Sequence, residues 1–350
     1  MEGESQRQRR RRRRRRMYRI RQRLIELSAL VVLAAVIGIP VWLLCRSSEP
    51  PQTVGTQPPV ESAVVEEIPA VVYPVDEGAT GFAATVDAGS AVLVDITDNR
   101  VIAARGAERQ VYPASVTKVM TVLVAVEHLT DYTATFEMPF EMLNQLFIEE
   151  ATVAGFLAGE KVCMTDLLYG AILPSGADAT QALAMHIAGS EEGFVRLMNE
   201  KAAEMGLRNT HFTNTSGLHD PDHYTTALDM AMVLREAMEN PLCRQVLTAV
   251  TYTTAVTEQH PEGIQLFSTM FGRMYGTEPK VATIIGGKTG YTSQAGHTMA
   301  SYAVGEDGHD YIFVSMQGSN RWEATYDAIE VYAYYCAPEG EKPNPTNYTP

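Results

Sequence analysis

Apolar positions along this chain follow distinct patterns, and each predicts a different element. Across residues 116–129, the side chains of Val116, Val119, Met120, Leu123, Val124 and Val126 leave little polar surface, which predicts a helix running through a core. Residues 165–172 and 179–187 repeat the helical spacing on either side of Pro174-Ser175-Gly176-Ala177-Asp178, a turn-like break. Shorter runs read as strands: 91–96 with 101–105 as a hairpin about Asp98-Asn99, 299–304 with 311–317 as another turning at Glu306-Asp307-Gly308, and 281–285 alone. A closing helix puts Trp322, Tyr326, Ile329, Ala333 and Cys336 on one stripe. The pattern predicts an α+β domain over 79–338: about five mainly antiparallel strands supplied by both ends of the domain, flanking helices, and a helix-rich region inserted between them.

The N-terminus has another pattern. Residues 27–45 are apolar for nineteen positions, enough to span a bilayer, and they follow an unbroken run of eight arginines, 9–16, extended by Arg7, Arg19, Arg21 and Arg23. Basic residues collect on the cytoplasmic side, so 1–23 reads as a cytoplasmic segment and 24–46 as a transmembrane signal anchor. The apolar stretch is long for a removable signal peptide, and no small-x-small cleavage site follows it. Residues 47–78, with Pro50-Pro51 and Pro58-Pro59, read as a flexible linker, and 339–350 as a disordered tail. The expected location is the membrane of a bacterial cell, single-pass, with the folded domain outside.

Charge makes the same division. Of 28 basic residues thirteen lie at or before Arg46, against three of 42 acidic ones, which leaves a net charge of −24 on the remainder. So acidic a domain excludes nucleic acid as a general partner, and the arginines abut a membrane span rather than forming a free nucleic-acid arm. Three cysteines, Cys163, Cys243 and Cys336, are spread too widely for a disulfide framework.

Chemistry enters at Ser115-Val116-Thr117-Lys118. A hydroxyl and an amine one helical turn apart can touch, and a lysine acts as a base when burial lowers its pKa. Ser-x-x-Lys alone is common, with the serine capping a helix and the lysine solvated. Two more features change its weight: Gly286-Gly287-Lys288-Thr289-Gly290 after the 281–285 strand, and the exposed hydroxyl of Ser175 in the turn between them.

Ser-x-x-Lys, a serine-containing turn and Lys-Thr-Gly, in that order, resemble the signature of the penicillin-interacting serine enzymes. The flanking text sharpens the likeness: Leu167-Leu168-Tyr169-Gly170, Asn214-Thr215-Ser216-Gly217-Leu218, Tyr224-Thr225-Thr226-Ala227 and Lys288-Thr289-Gly290-Tyr291-Thr292 resemble the D-alanyl-D-alanine carboxypeptidase family over residues 79–337. The resemblance implies hydrolysis of the terminal D-Ala-D-Ala bond of a peptidoglycan stem peptide, inhibition by β-lactams, and no metal or cofactor. It makes Ser115 the nucleophile, Lys118 its base and Ser175 a proton relay. Lys288 and Thr289, with Gly290 and Tyr291 beside them, would bind substrate. The backbone N–H groups of Ser115 and Tyr291 would form an oxyanion hole. Arg321 is either a further carboxylate ligand or a solvated surface arginine. After Pro338 the sequence is short, polar and proline-containing, so the additional C-terminal domain of many relatives is not expected.

The family's middle motif ordinarily reads Ser-x-Asn, whereas this chain has Ala177, which offers no side-chain hydrogen bond. Asp178 either compensates or serves structure. A β-lactamase of the same fold and a non-catalytic wall-binding protein are the alternatives. The first lacks a Glu-x-x-x-Asn loop after the middle motif, and the second is suggested by Ala177. His219-Asp220-Pro221-Asp222-His223 has metal-like spacing without a second ligand motif and reads as a turn.

Overall fold

The computed structural model describes residues 72–76, 78–79, 81–274, 279–338 and 340–342. The anticipated cytoplasmic segment, membrane span and most of the linker and tail lie outside them. Among the described residues no helix is long and apolar enough to cross a membrane.

Strand β1, Ser90–Asp95, is buried along its whole length, because its alternate residues pack on opposite faces of the sheet. Ala91 and Leu93 join one core, and Val92 and Val94 the other. The hairpin partner β2, Arg100–Arg105, lies at one edge. Three longer strands complete an antiparallel sheet of order β2-β1-β9-β8-β7: β7 is Ala282–Thr292, β8 Gly296–Gly305 and β9 Asp310–Gly318. The sheet thus unites the two ends of the domain, as the alternation anticipated. The 281–285 run is only the first part of β7, which continues through Lys288 to Thr292.

Between β2 and β7 lies the helical region. A 3-10 turn, Ala114–Thr117, leads into α1, Lys118–His128, with its residues buried through Val126. Strand β3, Thr135–Glu137, pairs with β4, Lys161–Cys163, around α2, Phe140–Ile148. Then come α3, Met164–Ile172; α4, Ala177–Ala188; α5, Glu191–Glu204; α6, Ala227–Glu239; and α7, Pro241–Leu247. A short hairpin, β5 Thr251–Thr253 with β6 Gln265–Phe267, and the short helix α8, Phe271–Met274, return the chain to the sheet. Neither small hairpin was anticipated, since three-residue strands carry too few alternations to register as a pattern.

The last helix, α9, Arg321–Tyr335, covers the sheet face opposite the helical region. Its stripe differs from the expected one. Ile329, Ala333 and Cys336 are buried as expected, but Trp322 is 44% exposed and Tyr326 only half-buried, and Ala324, Ala328, Val331 and Tyr332 make up the rest of the buried face. Tyr332 sets this rotation: its hydroxyl donates to the Ser301 carbonyl and accepts the Phe313 N–H, both on the sheet. The domain also begins earlier than composition suggested. Val75 exchanges backbone hydrogen bonds with Asn99 and Val101, and the Tyr73 ring lies under the Arg208 guanidinium with its hydroxyl donating to Asp229. A short apolar and aromatic stretch had been averaged into the proline-rich linker.

Candidate active site

The nucleophile turn is held in a strained shape. Ala114 has φ of 50°, a left-handed conformation costing an L-residue on the order of 1–2 kcal/mol. Contacts on both sides fix it. Thr298 on β8 donates to the Pro113 carbonyl, and the Thr117 hydroxyl donates to the Ala114 carbonyl at 2.8 Å. Behind Thr117 stands buried His223, whose Nδ1 accepts the Thr213 N–H at 3.0 Å, so Nε2 carries the proton and donates to Thr117 Oγ1 at 2.8 Å. Burial pushes the His223 pKa down to about 4, which keeps the ring in this neutral form. Two glycines admit the neighbouring chain. A Cβ on Gly217 would lie 1.9 Å from the Ala114 carbonyl oxygen, and one on Gly290 would lie 2.7 Å from the Ser115 nitrogen. Gly290 therefore lets β7 pass against the nucleophile.

Lys118, one helical turn on, is 2% exposed, and its Nζ lies 3.0 Å from Ser115 Oγ and 2.6 Å from the Ser216 carbonyl oxygen. Burial lowers its pKa to about 7, opposed by the charge of Asp178. A neutral amine in this place donates one N–H to Ser216 and keeps a lone pair for the serine proton.

Across the cleft, Lys288 on β7 donates from Nζ to Ser175 Oγ at 2.9 Å and to the Thr289 carbonyl at 2.8 Å. Its pKa is well below the usual lysine value, first through burial, then through the charges of Lys118 and Arg273. Ser175 itself is buried, has φ of 72° and accepts from Lys288. Thr289 Oγ1 is 3.0 Å from Thr269 Oγ1. Tyr291 is exposed, with its ring stacked on His297.

The fold brings together Ser115, Lys118, Ser175, Lys288, Thr289, Gly290 and Tyr291. Arg321 begins α9 and lies with its guanidinium 5.1 Å from the Trp322 ring centroid. It is exposed, and its charge reaches Arg273 and His297, whose pKa values are lowered first by burial. Sequence reasoning does not name Arg273 or Thr269, and it reads Ser216 only as family-like text and His223 only as part of a turn. Arg273 lies in a four-residue helix with no pattern of its own, and Ser216 acts through its backbone carbonyl, which any residue possesses.

Asp178 does not stand in for the missing amide. Its buried carboxylate accepts the N–H groups of Ala154 at 2.7 Å, Gly155 at 3.1 Å and Ala179 at 2.9 Å, so it fastens the loop between α2 and β4 to the start of α4. Nor do the two histidines act as a pair: His223 spends both nitrogens on protein contacts, and His219 packs edge-on to Tyr112. Among the described residues, Asp95, Asp98 and His309 hold ligand atoms within 4.8 Å of one another, but at hairpin ends of the sheet, with His309 Nδ1 paired to Asp95.

Residues 77–320 match the family model described as D-alanyl-D-alanine carboxypeptidase. The chain belongs to this family. It is 34% identical over 225 residues to D-alanyl-D-alanine carboxypeptidase DacF of Bacillus subtilis, a match covering 62% of this chain and 54% of that protein. The chain thus spans little more than half the length of the curated carboxypeptidases it matches. Among solved structures, the Streptomyces K15 DD-transpeptidase aligns with a TM-score of 0.66 and 25% identity, covering 71% of this chain and 96% of that one. Penicillin binding protein 5 of Haemophilus influenzae aligns with a TM-score of 0.64 and 27% identity, covering 71% of each chain. The five-stranded antiparallel sheet with its flanking helices is thus the D,D-peptidase fold.

Proposed function

We propose that this family member is a serine D-alanyl-D-alanine carboxypeptidase that removes the terminal D-alanine from peptidoglycan stem peptides. The observation that carries the reading is the buried Lys118 amine, 3.0 Å from Ser115 Oγ with its pKa lowered to about 7. Ser115 Oγ attacks the carbonyl of the penultimate D-alanine while Lys118 takes its proton. The developing oxyanion is held by the N–H groups of Ser115 and Tyr291, each donor lowering the barrier by ~3 kcal/mol. Ser175, bonded to Lys288, delivers a proton to the departing amine. Lys288, Thr289, Arg321 and Arg273 receive the substrate's terminal carboxylate. Water then cleaves the acyl-enzyme. A β-lactam presents a carboxylate and a reactive carbonyl to the same groups and acylates Ser115.

Likeness to the K15 transpeptidase supports a second outcome for the acyl group, transfer to an amine in place of water. The test is D-alanine release from a stem pentapeptide, with and without an added amino acceptor. Wild-type protein releases D-alanine and Ser115→Ala does not; release undiminished by that substitution would overturn the assignment. The arginine run and apolar stretch before residue 46 support a single membrane anchor with this domain outside the cell. Protease added to intact cells should then free a soluble domain by cutting within 47–71; protection of the domain would contradict that topology.

A further inference from the structure

Tyr291 sits where a strand is least constrained. It is the last residue but one of β7, which lies at the edge of the sheet and has a neighbouring strand, β8, on one side only. The Tyr291 side chain is 57% exposed, so the core does not hold it. Among the described residues its ring meets one other, that of His297, stacked with centroids 4.4 Å apart and planes 25° from parallel. His297 is better anchored: β8 runs between β7 and β9, and His297 stands in register with Tyr291 on the one and Gly318 on the other. We propose that His297 is a positioning residue for the reaction, its ring holding Tyr291 so that the Tyr291 N–H stays aimed at the oxyanion formed when Ser115 attacks. The inference deepens the proposed function and rests on the Ser115 reading.

Register ties the ring to the N–H. An edge-strand N–H that faces the cleft is not bonded to β8, so Tyr291 would oppose His297 in the narrow kind of antiparallel pair, whose side chains come closest. Turning the Tyr291 peptide then breaks the stack, and keeping the stack fixes the peptide. The residues beside the pair leave it little slack. Thr298, next to His297, donates to the Pro113 carbonyl, and a Cβ on Gly290, next to Tyr291, would lie 2.5 Å from Thr298 Oγ1 and 2.7 Å from the Ser115 nitrogen. Nor is the histidine placed by hydrogen bonds of its own: among the described residues, its Nδ1 is buried without a partner. A buried unpaired polar atom is costly, and a ring free to choose would turn to satisfy it. This ring instead keeps the face that meets Tyr291. Burial, then the charges of Arg273 and Arg321, hold its pKa below the usual histidine value, so at neutral pH the platform is uncharged and adds no third cation beside the two arginines.

The test uses the full chain in detergent and a benzylpenicillin isotopically labelled at its β-lactam carbonyl. Difference infrared spectra locate the ester carbonyl of the adduct, whose band moves to higher frequency as the hydrogen bonds of the oxyanion hole weaken. His297→Ala should slow acylation at saturation about ten-fold, a fraction of the roughly 10²–10³-fold cost of losing a donor outright, leave half-saturation unchanged and raise the band frequency. His297→Phe keeps the stack, so rate and band should return to their wild-type values with no loss of thermal stability. Tyr291→Ala retains the backbone N–H at an exposed position where folding is not at stake. It should reproduce the slow rate and the shifted band, and adding His297→Ala to it should change neither further. A band unmoved in Tyr291→Ala or in a folded His297→Ala variant, additive losses in the double variant, or failure of His297→Phe to restore the rate overturns the positioning role while leaving the catalytic reading intact. Wild-type protein that forms no adduct on Ser115 overturns the catalytic reading and the inference with it.

Discussion

The two walls of the cleft are built on opposite principles. On the helical side the polar groups satisfy one another: His223 donates to Thr117, Thr117 to Ala114, and Lys118 to Ser216, with Lys118 and His223 both driven toward neutrality by burial. On the sheet side Arg273 and Arg321 bring positive charge, Lys288 too is held well below the usual lysine pKa by burial and by Lys118 and Arg273, and among the described residues none of the three pairs with a carboxylate. The helical wall is complete within the protein, whereas the sheet wall lacks a counter-charge that the substrate's carboxylate would bring. On the proposed function, proton transfer and substrate recognition are divided between two structural layers, and substitutions in the two should fail in different ways.

The largest expected effect lies on the helical wall. Lys118→Ala should slow acylation by a benzylpenicillin about 10²–10⁴-fold, the usual contribution of a positioned base, with little change in the concentration needed for half-saturation. Stopped-flow acylation checks this; a loss confined to half-saturation would erase the distinction between the walls. On the sheet wall, Lys288→Gln and Arg273→Ala should each weaken carboxylate-bearing ligands by ~10–100-fold, corresponding to one charge-assisted hydrogen bond. A peptide amide lacking the terminal carboxylate should be indifferent to Arg273→Ala, and equal losses for acid and amide would contradict the role.

The pH profile separates the walls again. Lys118 is a base only when neutral, and its pKa is lowered to about 7, so acylation should rise as pH increases through 7 and level off above it. A rate that rises only near pH 10 would show an unperturbed lysine. A smaller effect is expected behind the nucleophile. Thr117→Val removes the link from His223 to Ala114 and should slow acylation about ten-fold, and Thr117→Ser should restore it. A fall in thermal stability without a change in acylation would reduce the chain His223–Thr117–Ala114 to scaffolding. Smallest is Ala177→Asn, which adds one amide near Lys118 and should raise acylation by up to ~10-fold. A decrease would mean that the site depends on the smaller side chain.

The same contrast explains what the sequence reveals. Ser115 and Lys118 are legible because three residues of spacing make them neighbours on any helical turn, and the apolar run after them announces the burial that the base requires. Strand β7 is legible from 281 to 285 and then loses its apolar alternation in Gly286-Gly287-Lys288, where the chain serves ligand access and close approach to Ser115 rather than core packing. The cation set is barely legible: Arg273 and Arg321 lie far apart in sequence, and only the fold brings Arg273 within electrostatic reach of both Arg321 and Lys288. Trp322 and Tyr326 misled for the opposite reason. Large aromatic residues at helical spacing suggest a buried face, but α9 is oriented by the Tyr332 hydroxyl, and Trp322 is left at the surface beside Arg321.

The central claim is that Ser115 is the nucleophile of a penicillin-reactive site. A labelled penicillin should attach covalently to the full chain, with the adduct mass mapping to the peptide that contains Ser115 and disappearing in a folded Ser115→Ala variant. An adduct on another peptide, or equal labelling of that variant, would contradict the account.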